Sequence, residues 1–220
     1  DEAELSLFMN DTLFVDGGIT DENPILLANI FDMSGINTVG NGIGHDITAV
    51  LDANTKNPYI LNDFYEARKD DFTRGIVRFP LYNLAEGKHS ITLKVWDVFN
   101  NSSEKTINFV VISEDEFVIA DFTTFPNPFS ISTDIYFQHN KSNQVLDYVL
   151  EIYSITGVLV KRLEKSGYNS PGYRIGPITW DGKNEYGMKM SAGIYVANLG
   201  VFTESGEFTS KSIRIILFPQ

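Results

Sequence analysis

Cysteine is absent from all 220 residues, which excludes disulfide frameworks, thiol nucleophiles, thiolate zinc sites and iron–sulfur clusters from this chain. The same absence leaves the redox compartment open. Histidine is scarce, with three residues in total and no H-E-x-x-H run, so a catalytic zinc centre lacks its usual ligands. Basic residues are outnumbered, 17 against 29 acidic, for a formal net charge of −12. A field of that sign repels phosphate backbones and anionic lipid surfaces, so nucleic acid is not an expected partner. No stretch approaches the roughly 20 consecutive apolar residues that a membrane helix needs. Asp1-Glu2-Ala3-Glu4 lacks the basic start of a secretory signal. A sequence that opens this way reads as a fragment or a processed product.

Apolar residues make up 43% of the chain and aromatics 13%, enough side-chain volume for packed cores. Against domains of about 100 to 150 residues, the length predicts two. Apolar and polar residues trade places along Ile91-Thr92-Leu93-Lys94-Val95-Trp96 and Ser212-Ile213-Arg214-Ile215-Ile216-Leu217, the two-residue period of half-buried strands. Further strands are predicted over Leu5 to Val15, Ile25 to Phe31, Ile47 to Leu51, Gly75 to Leu81 and Thr106 to Ile112, all rich in β-branched and aromatic residues. The best helical candidate is Asn62 to Lys69, one or two turns capped by Asn62 or Asp63, with a loop as the alternative.

Ser113-Glu114-Asp115-Glu116 is a polar stretch between apolar runs, and the boundary is placed there. Residues 1–116 carry 20 acidic against 8 basic side chains, whereas residues 117–220 carry 9 of each. The imbalance lies wholly in the first half, so the halves are expected to do different work. Each half has the length and strand spacing of an immunoglobulin-like sandwich. The predicted fold is all-β: two tandem immunoglobulin-like β-sandwich domains, residues 1–116 and 117–220.

Candidate chemistry is thin. Gly35 to Asp46 is the most glycine-dense loop, but a phosphate loop opens a helix and here a strand follows, which favours a turned surface loop. His45 beside Asp46 has no nucleophile to serve, and neighbours in a strand point to opposite faces. Asp32, Asp52, Asn54, Asp70 and Asp71 fall in turns without the spacing of a calcium loop, and Asp and Asn favour turns for backbone reasons. Asp181 and Glu185 have the residue types of a glycosidase pair but read as turn residues. Trp96 is expected in the core. No catalytic residue, metal site or cofactor is assigned.

Residues without hydrogen-bonding backbone donors mark another feature. Pro126 and Pro128 make Phe125-Pro126-Asn127-Pro128-Phe129 an edge or turn segment with a ring on either side. The terminal strand, Ser210 to Leu217, is nearly uncharged; at a sheet edge it would offer unpaired backbone groups to another chain, and otherwise it is an interior strand.

Longer motifs carry a resemblance. N-P-F-S-I-S-T-D-I-Y-F from Asn127, L-E-I-Y-S-I-T-G-V-L-V-K-R-L from Leu150, W-D-G-K-N-E-Y-G-M-K-M-S-A-G-I-Y-V from Trp180 and S-K-S-I-R-I-I-L from Ser210 resemble, in that order, the C-terminal sorting domain of the type IX secretion system of Bacteroidetes. They also resemble its relative, the immunoglobulin-like domain of the flagellar hook-capping protein. Phe31 to Asp52, L-N-D-F-Y-E from Leu61 and L-K-V-W-D-V-F-N-N-S-S-E from Leu93 are similar to the region just before that domain in the gingipain-like C25-family sortase of the system.

The resemblance implies a cell-surface cysteine peptidase of the outer membrane whose nucleophile lies outside these residues. It further implies a retained sorting domain that docks on an outer-membrane β-barrel partner, PorV-like, with the first half as a brace. Docking candidates are then Pro126, Asn127, Pro128 and Phe129, with Gly193 and Tyr195, and Ile213 and Ile215 of the last strand. The alternatives are the tail of another exported surface protein, with a binding module and a removable sorting signal, and a self-contained enzyme using Asp181, Glu185 or His45.

Overall fold

The computed structural model describes residues 2–38, 45–113 and 115–219. The chain divides into two compact units, Asp1–Ser113 and Glu114–Gln220. Both are β-sandwiches, and helical structure among the described residues amounts to one short turn.

Unit 1 contains β1 (Glu4–Met9), β2 (Ile19–Thr20), β3 (Ile25–Phe31), β4 (Thr48–Leu51), β5 (Tyr59–Ile60), β6 (Tyr65–Arg68), β7 (Asp71–Pro80), β8 (Gly87–Trp96) and β9 (Ser102–Val111). These form a four-stranded sheet, β1-β3-β7-β6, and a five-stranded sheet, β2-β9-β8-β4-β5. Alternation sends Leu5, Leu7 and Met9 inward from one layer and Ile91, Leu93 and Val95 from the other, all of them buried.

Three local expectations fail here, each for a physical reason. The strand foreseen over Leu5 to Val15 stops at Met9, because Asn10 turns to φ 61° and its Oδ1 accepts the Ile25 N–H at 2.7 Å. The helix foreseen over Asn62 to Lys69 is a single 3-10 turn, Asn62–Phe64, followed by β6. Asn62 does not cap it; its Oδ1 accepts the Ile47 N–H at 3.0 Å and its Nδ2 donates to the Thr38 carbonyl at 3.1 Å. Tyr65 lays its ring on Gly75 of β7, so closely that a Cβ there would fall 2.2 Å from ring atoms, and this contact holds the segment extended. Trp96, expected in the core, shares the outer face of β8 with Thr92 and Lys94 and is only half-buried. It is covered by the His45 ring at 4.5 Å and the Lys94 ammonium at 5.0 Å.

Unit 2 contains β10 (Ile119–Phe125), β11 (Thr133–His139), β12 (Gln144–Ser154), β13 (Leu159–Ser170), β14 (Arg174–Trp180), β15 (Gly193–Thr203) and β16 (Phe208–Leu217). A three-stranded sheet, β10-β11-β14, packs on a four-stranded sheet, β13-β12-β15-β16. The inward residues of both layers meet around Trp180, whose ring lies between Phe129 and Tyr195 with centroids 5.3 and 5.2 Å away. β16, left open above as edge or interior, is an edge strand.

Candidate docking surface

A sheet edge displays main-chain donors and acceptors that must be covered, blunted or used. β16 shows how this chain covers one. The side chain of Asn127 lies against the strand like a short length of backbone: Oδ1 accepts the Ile216 N–H at 2.9 Å and Nδ2 donates to the Arg214 carbonyl at 3.0 Å. The Phe129 N–H then donates to the Ile216 carbonyl at 2.9 Å, and the Phe218 N–H returns to the Phe129 carbonyl at 2.7 Å. The two prolines flanking Asn127 have no N–H to contribute, so a side chain supplies the donor that the backbone lacks. Replacing Asn127 by alanine removes two hydrogen bonds and is expected to destabilise unit 2 by about 1–2 kcal/mol. Faster hydrogen exchange at the Ile216 amide would be the local signature, and unchanged exchange there would contradict the assignment.

The opposite edge, β13, is covered in the same manner. The Glu185 N–H donates to the Val160 carbonyl at 3.1 Å, its carboxylate accepts the Arg162 N–H, and Lys161 pairs with it at 3.4 Å. The Arg162 N–H, then Lys161, hold its carboxyl below the ordinary range. Asp181 accepts the Lys183 N–H and pairs with the Lys183 ammonium at 2.7 Å; the hydrogen bond from that lysine side chain, first among its causes, lowers its pKa too. A glycosidase acid needs a raised pKa, so the two carboxylates are turn and edge fasteners.

The docking candidates separate by phase. Pro126, Asn127, Pro128 and Gly193 are exposed. Phe129, Tyr195 and Ile215 are buried in the core of unit 2 and Ile213 is packed partly against it, because the odd-numbered residues of β15 and β16 face inward. Buried side chains cannot meet a partner, so Phe129, Tyr195 and Ile215 belong to packing. On β15 and β16 the large accessible apolar side chains are even-numbered, Ile194, Phe202 and Phe208, as is Arg214, and none of these is among the candidates drawn from the sequence. Phe202 and Phe208 stand side by side on the outer face with ring centroids 4.6 Å apart. The signal for them was available: two exposed rings flank the turn at Glu204 to Glu207, in phase with Ser210, Ser212 and Arg214.

The remaining candidates are fastenings. His89 places Nδ1 2.7 Å from Asp52 and Nε2 2.7 Å from the Ala85 carbonyl, and Asp52 also accepts the Ser90 N–H. Asp32 accepts the Ser34 N–H and Asp71 the Thr73 N–H. Asp97, which joins them in this role, accepts the N–H groups of Phe99 and Asn101 and the Asn101 side chain. Burial works against its charge, and the bonds from Asn101 and Phe99 outweigh that and lower its pKa. Asp70 and Asp52 also turn the chain, at φ 61° and 50°. Among the described residues no group of three or more His, Asp or Glu side chains is placed to hold a metal ion. Residues 39–44 of the glycine-dense loop lie outside the described residues.

His139, isolated in the sequence, meets Ser170: its Nε2 is 2.9 Å from the Ser170 Oγ. The pair does not build a nucleophile. The Lys141 N–H points at Nδ1, so the ring N–H is on Nε2 and donates to the serine, whose own hydroxyl donates to the Gly172 carbonyl at 3.1 Å. A serine that receives the imidazole proton cannot be deprotonated by that imidazole.

Comparison with known proteins adds lineage to this geometry. No family model and no curated protein matches the chain. Among solved structures, dimeric latent PorU from Porphyromonas gingivalis matches at 33% identity and a TM-score of 0.50, over 99% of this chain and 20% of that one. The fibronectin(III)-like modules of CbhA from Clostridium thermocellum match at 8% identity and a TM-score of 0.36, over 98% of this chain and 95% of theirs. A β-glucuronidase from Parabacteroides merdae matches at 8% and 0.39, over 97% and 24%. The last two carry no argument about relationship. The chain spans about a fifth of the PorU chain that it matches.

Proposed function

This chain belongs to the PorU family, and on that premise we propose that it is the non-catalytic, C-terminal docking end of a type IX surface sortase. In this reading residues 117–220 hold the enzyme on an outer-membrane β-barrel partner of the PorV kind, at the surface of a Bacteroidetes cell, and residues 1–116 brace the peptidase. One-third identity along 99% of the chain is the observation that carries the reading. The chemistry agrees with it. A cysteine peptidase needs a thiol, and no cysteine is present, so bond cleavage belongs to a part of the parent outside these residues. Charge agrees as well: the acidic half is repelled by an anionic outer surface and stands off from it, while the half with no net charge can approach.

Deleting residues 117–220 from the full-length parent is expected to release it from the cell surface while leaving cleavage of a soluble peptide substrate intact. Unchanged attachment would overturn the docking role. Mass spectrometry of the mature parent separates the cargo alternative, since loss of everything beyond about residue 116 would make the second half a removable signal.

A further inference from the structure

The sheets of unit 2 end in four edge strands, β10, β14, β13 and β16, and three of them are blunted. β10 is bulged between Ala120 and Thr123, with Asp121 at φ 38°. β14 carries Pro177 in its interior. β13 is covered by Glu185 and lined with Arg162, Glu164 and Lys165. On β16 the Asn127 cover ends at Arg214. The bonds of Asn127 to the Ile216 N–H and the Arg214 carbonyl, and of the Phe129 N–H to the Ile216 carbonyl, show that even-numbered residues of this strand turn their main-chain groups away from β15. The pairing with β15 runs without a register shift from Gly193↔Leu217 to Phe202↔Phe208, so Phe208, Ser210 and Ser212 are turned outward too. Among the described residues no hydrogen bond reaches their outward N–H and carbonyl groups, although β10 packs beside β16 and the Lys211 Nζ donates to the Ile119 carbonyl at 3.3 Å.

We propose that this open edge, Phe208 to Ser212, is a strand-pairing site that takes an extended segment of a partner polypeptide, running antiparallel to β16. The proposal refines the docking role proposed above and rests on it for its biological setting, while its chemistry stands on the edge itself. Backbone groups in this array are satisfied only by another extended backbone, and the chain already treats the adjoining half of the strand in that way. The side chains on the outer face then define the occupant. Arg214 is exposed and no carboxylate is within ion-pair distance of it among the described residues. Ser210 and Ser212 leave room, and Phe208 with Phe202 offers an aromatic surface. The fitting segment therefore has an acidic residue at its N-terminal end, small or β-branched residues at its centre, and an apolar residue six positions on, a span of about 20 Å in an extended chain.

The probe is an acetylated, amidated heptapeptide, Glu-Thr-Val-Thr-Val-Thr-Phe, which puts Glu, both Val and Phe on one face. Binding to the full 220-residue chain is followed by amide NMR shifts and hydrogen exchange. Saturable shifts centred on Ser210 and Ser212, with at least tenfold protection of their amides, are expected, and the reversed peptide is expected to bind at least fivefold more weakly. Ser210→Pro removes an outward N–H that takes no part in the β15 ladder, so it should abolish protection without lowering the melting temperature by more than a few degrees. Should that variant not fold, Arg214→Glu serves instead, and it should weaken the Glu peptide and strengthen its Lys counterpart. No shifts at millimolar peptide, shifts centred elsewhere, indifference to peptide order, or protection arising from concentration-dependent self-association would each overturn the proposal. The assay needs no parent protein, so its outcome is independent of the deletion experiment.

Discussion

Truncation of Trp180 to alanine is expected to destabilise unit 2 by about 3–5 kcal/mol, a large share of the 5–15 kcal/mol typical of a whole domain. The ring is 1% exposed, and it packs edge-on against both Phe129 and Tyr195. Its Nε1 donates to the Lys183 carbonyl at 2.9 Å, anchoring the turn that leads to Glu185. Phe129 in turn carries the main-chain bonds that close the lower edge of β16. Loss of the indole thus reaches both edge covers through one cavity. Trp180→Phe keeps most of the buried area and loses the indole N–H, and should fall between wild type and alanine. The second tryptophan, Trp96, lies in unit 1 and reports that unit by fluorescence, while far-UV circular dichroism sums both units, so a transition seen there and not by Trp96 belongs to unit 2. A loss below 1 kcal/mol for the alanine variant, or an equal loss reported by Trp96, would refute the placement of Trp180 at the centre of an independent core.

How much of this was legible follows from sequence separation. Alternation is local, and it marked β3, β8 and β16 well enough to predict an all-β chain of two sandwiches. Phase is not local. Ile213 and Ile215 stand among the docking candidates that the resemblance implies, yet they lie on the side of β16 turned inward, and one residue of offset separates core from surface. Trp96 errs the other way, an aromatic taken for core that lies on the outer face. The edge covers were hidden for a stronger reason. Asn127 meets Arg214 and Ile216 across 87 and 89 residues, and Glu185 meets Arg162 across 23. No propensity scale reads such pairs. The helix expected at Asn62 to Lys69 was defeated similarly, by Tyr65 against Gly75 on another strand.

Lowering the pH from about 6.5 to 4.5 is expected to cost unit 2 about 2.5 kcal/mol through one residue, His139. Its side chain is fully buried, and desolvation lowers its pKa from 6.5 to about 3. The unfolded chain therefore takes up a proton near pH 6.5 that the folded chain refuses until about pH 3. Stability is full above that window and falls as pH drops through it, by about 1.4 kcal/mol per unit. The carboxylates of the unit that could mimic this act later. Asp181, Glu185 and Glu207 have pKa values lowered from 3.8, 4.5 and 4.5, so their contribution begins to be lost only at about pH 5 and mostly below it, and the fall between 6.5 and about 5 isolates the histidine. His139→Gln supplies an amide donor toward Ser170 and no titration. Urea midpoints at half-unit steps of pH should fall steeply for the native chain and stay nearly flat for the variant. Parallel slopes would mean that water or a rearrangement reaches the ring, and that the bond to Ser170 is not the closed, dry fastening that the geometry describes.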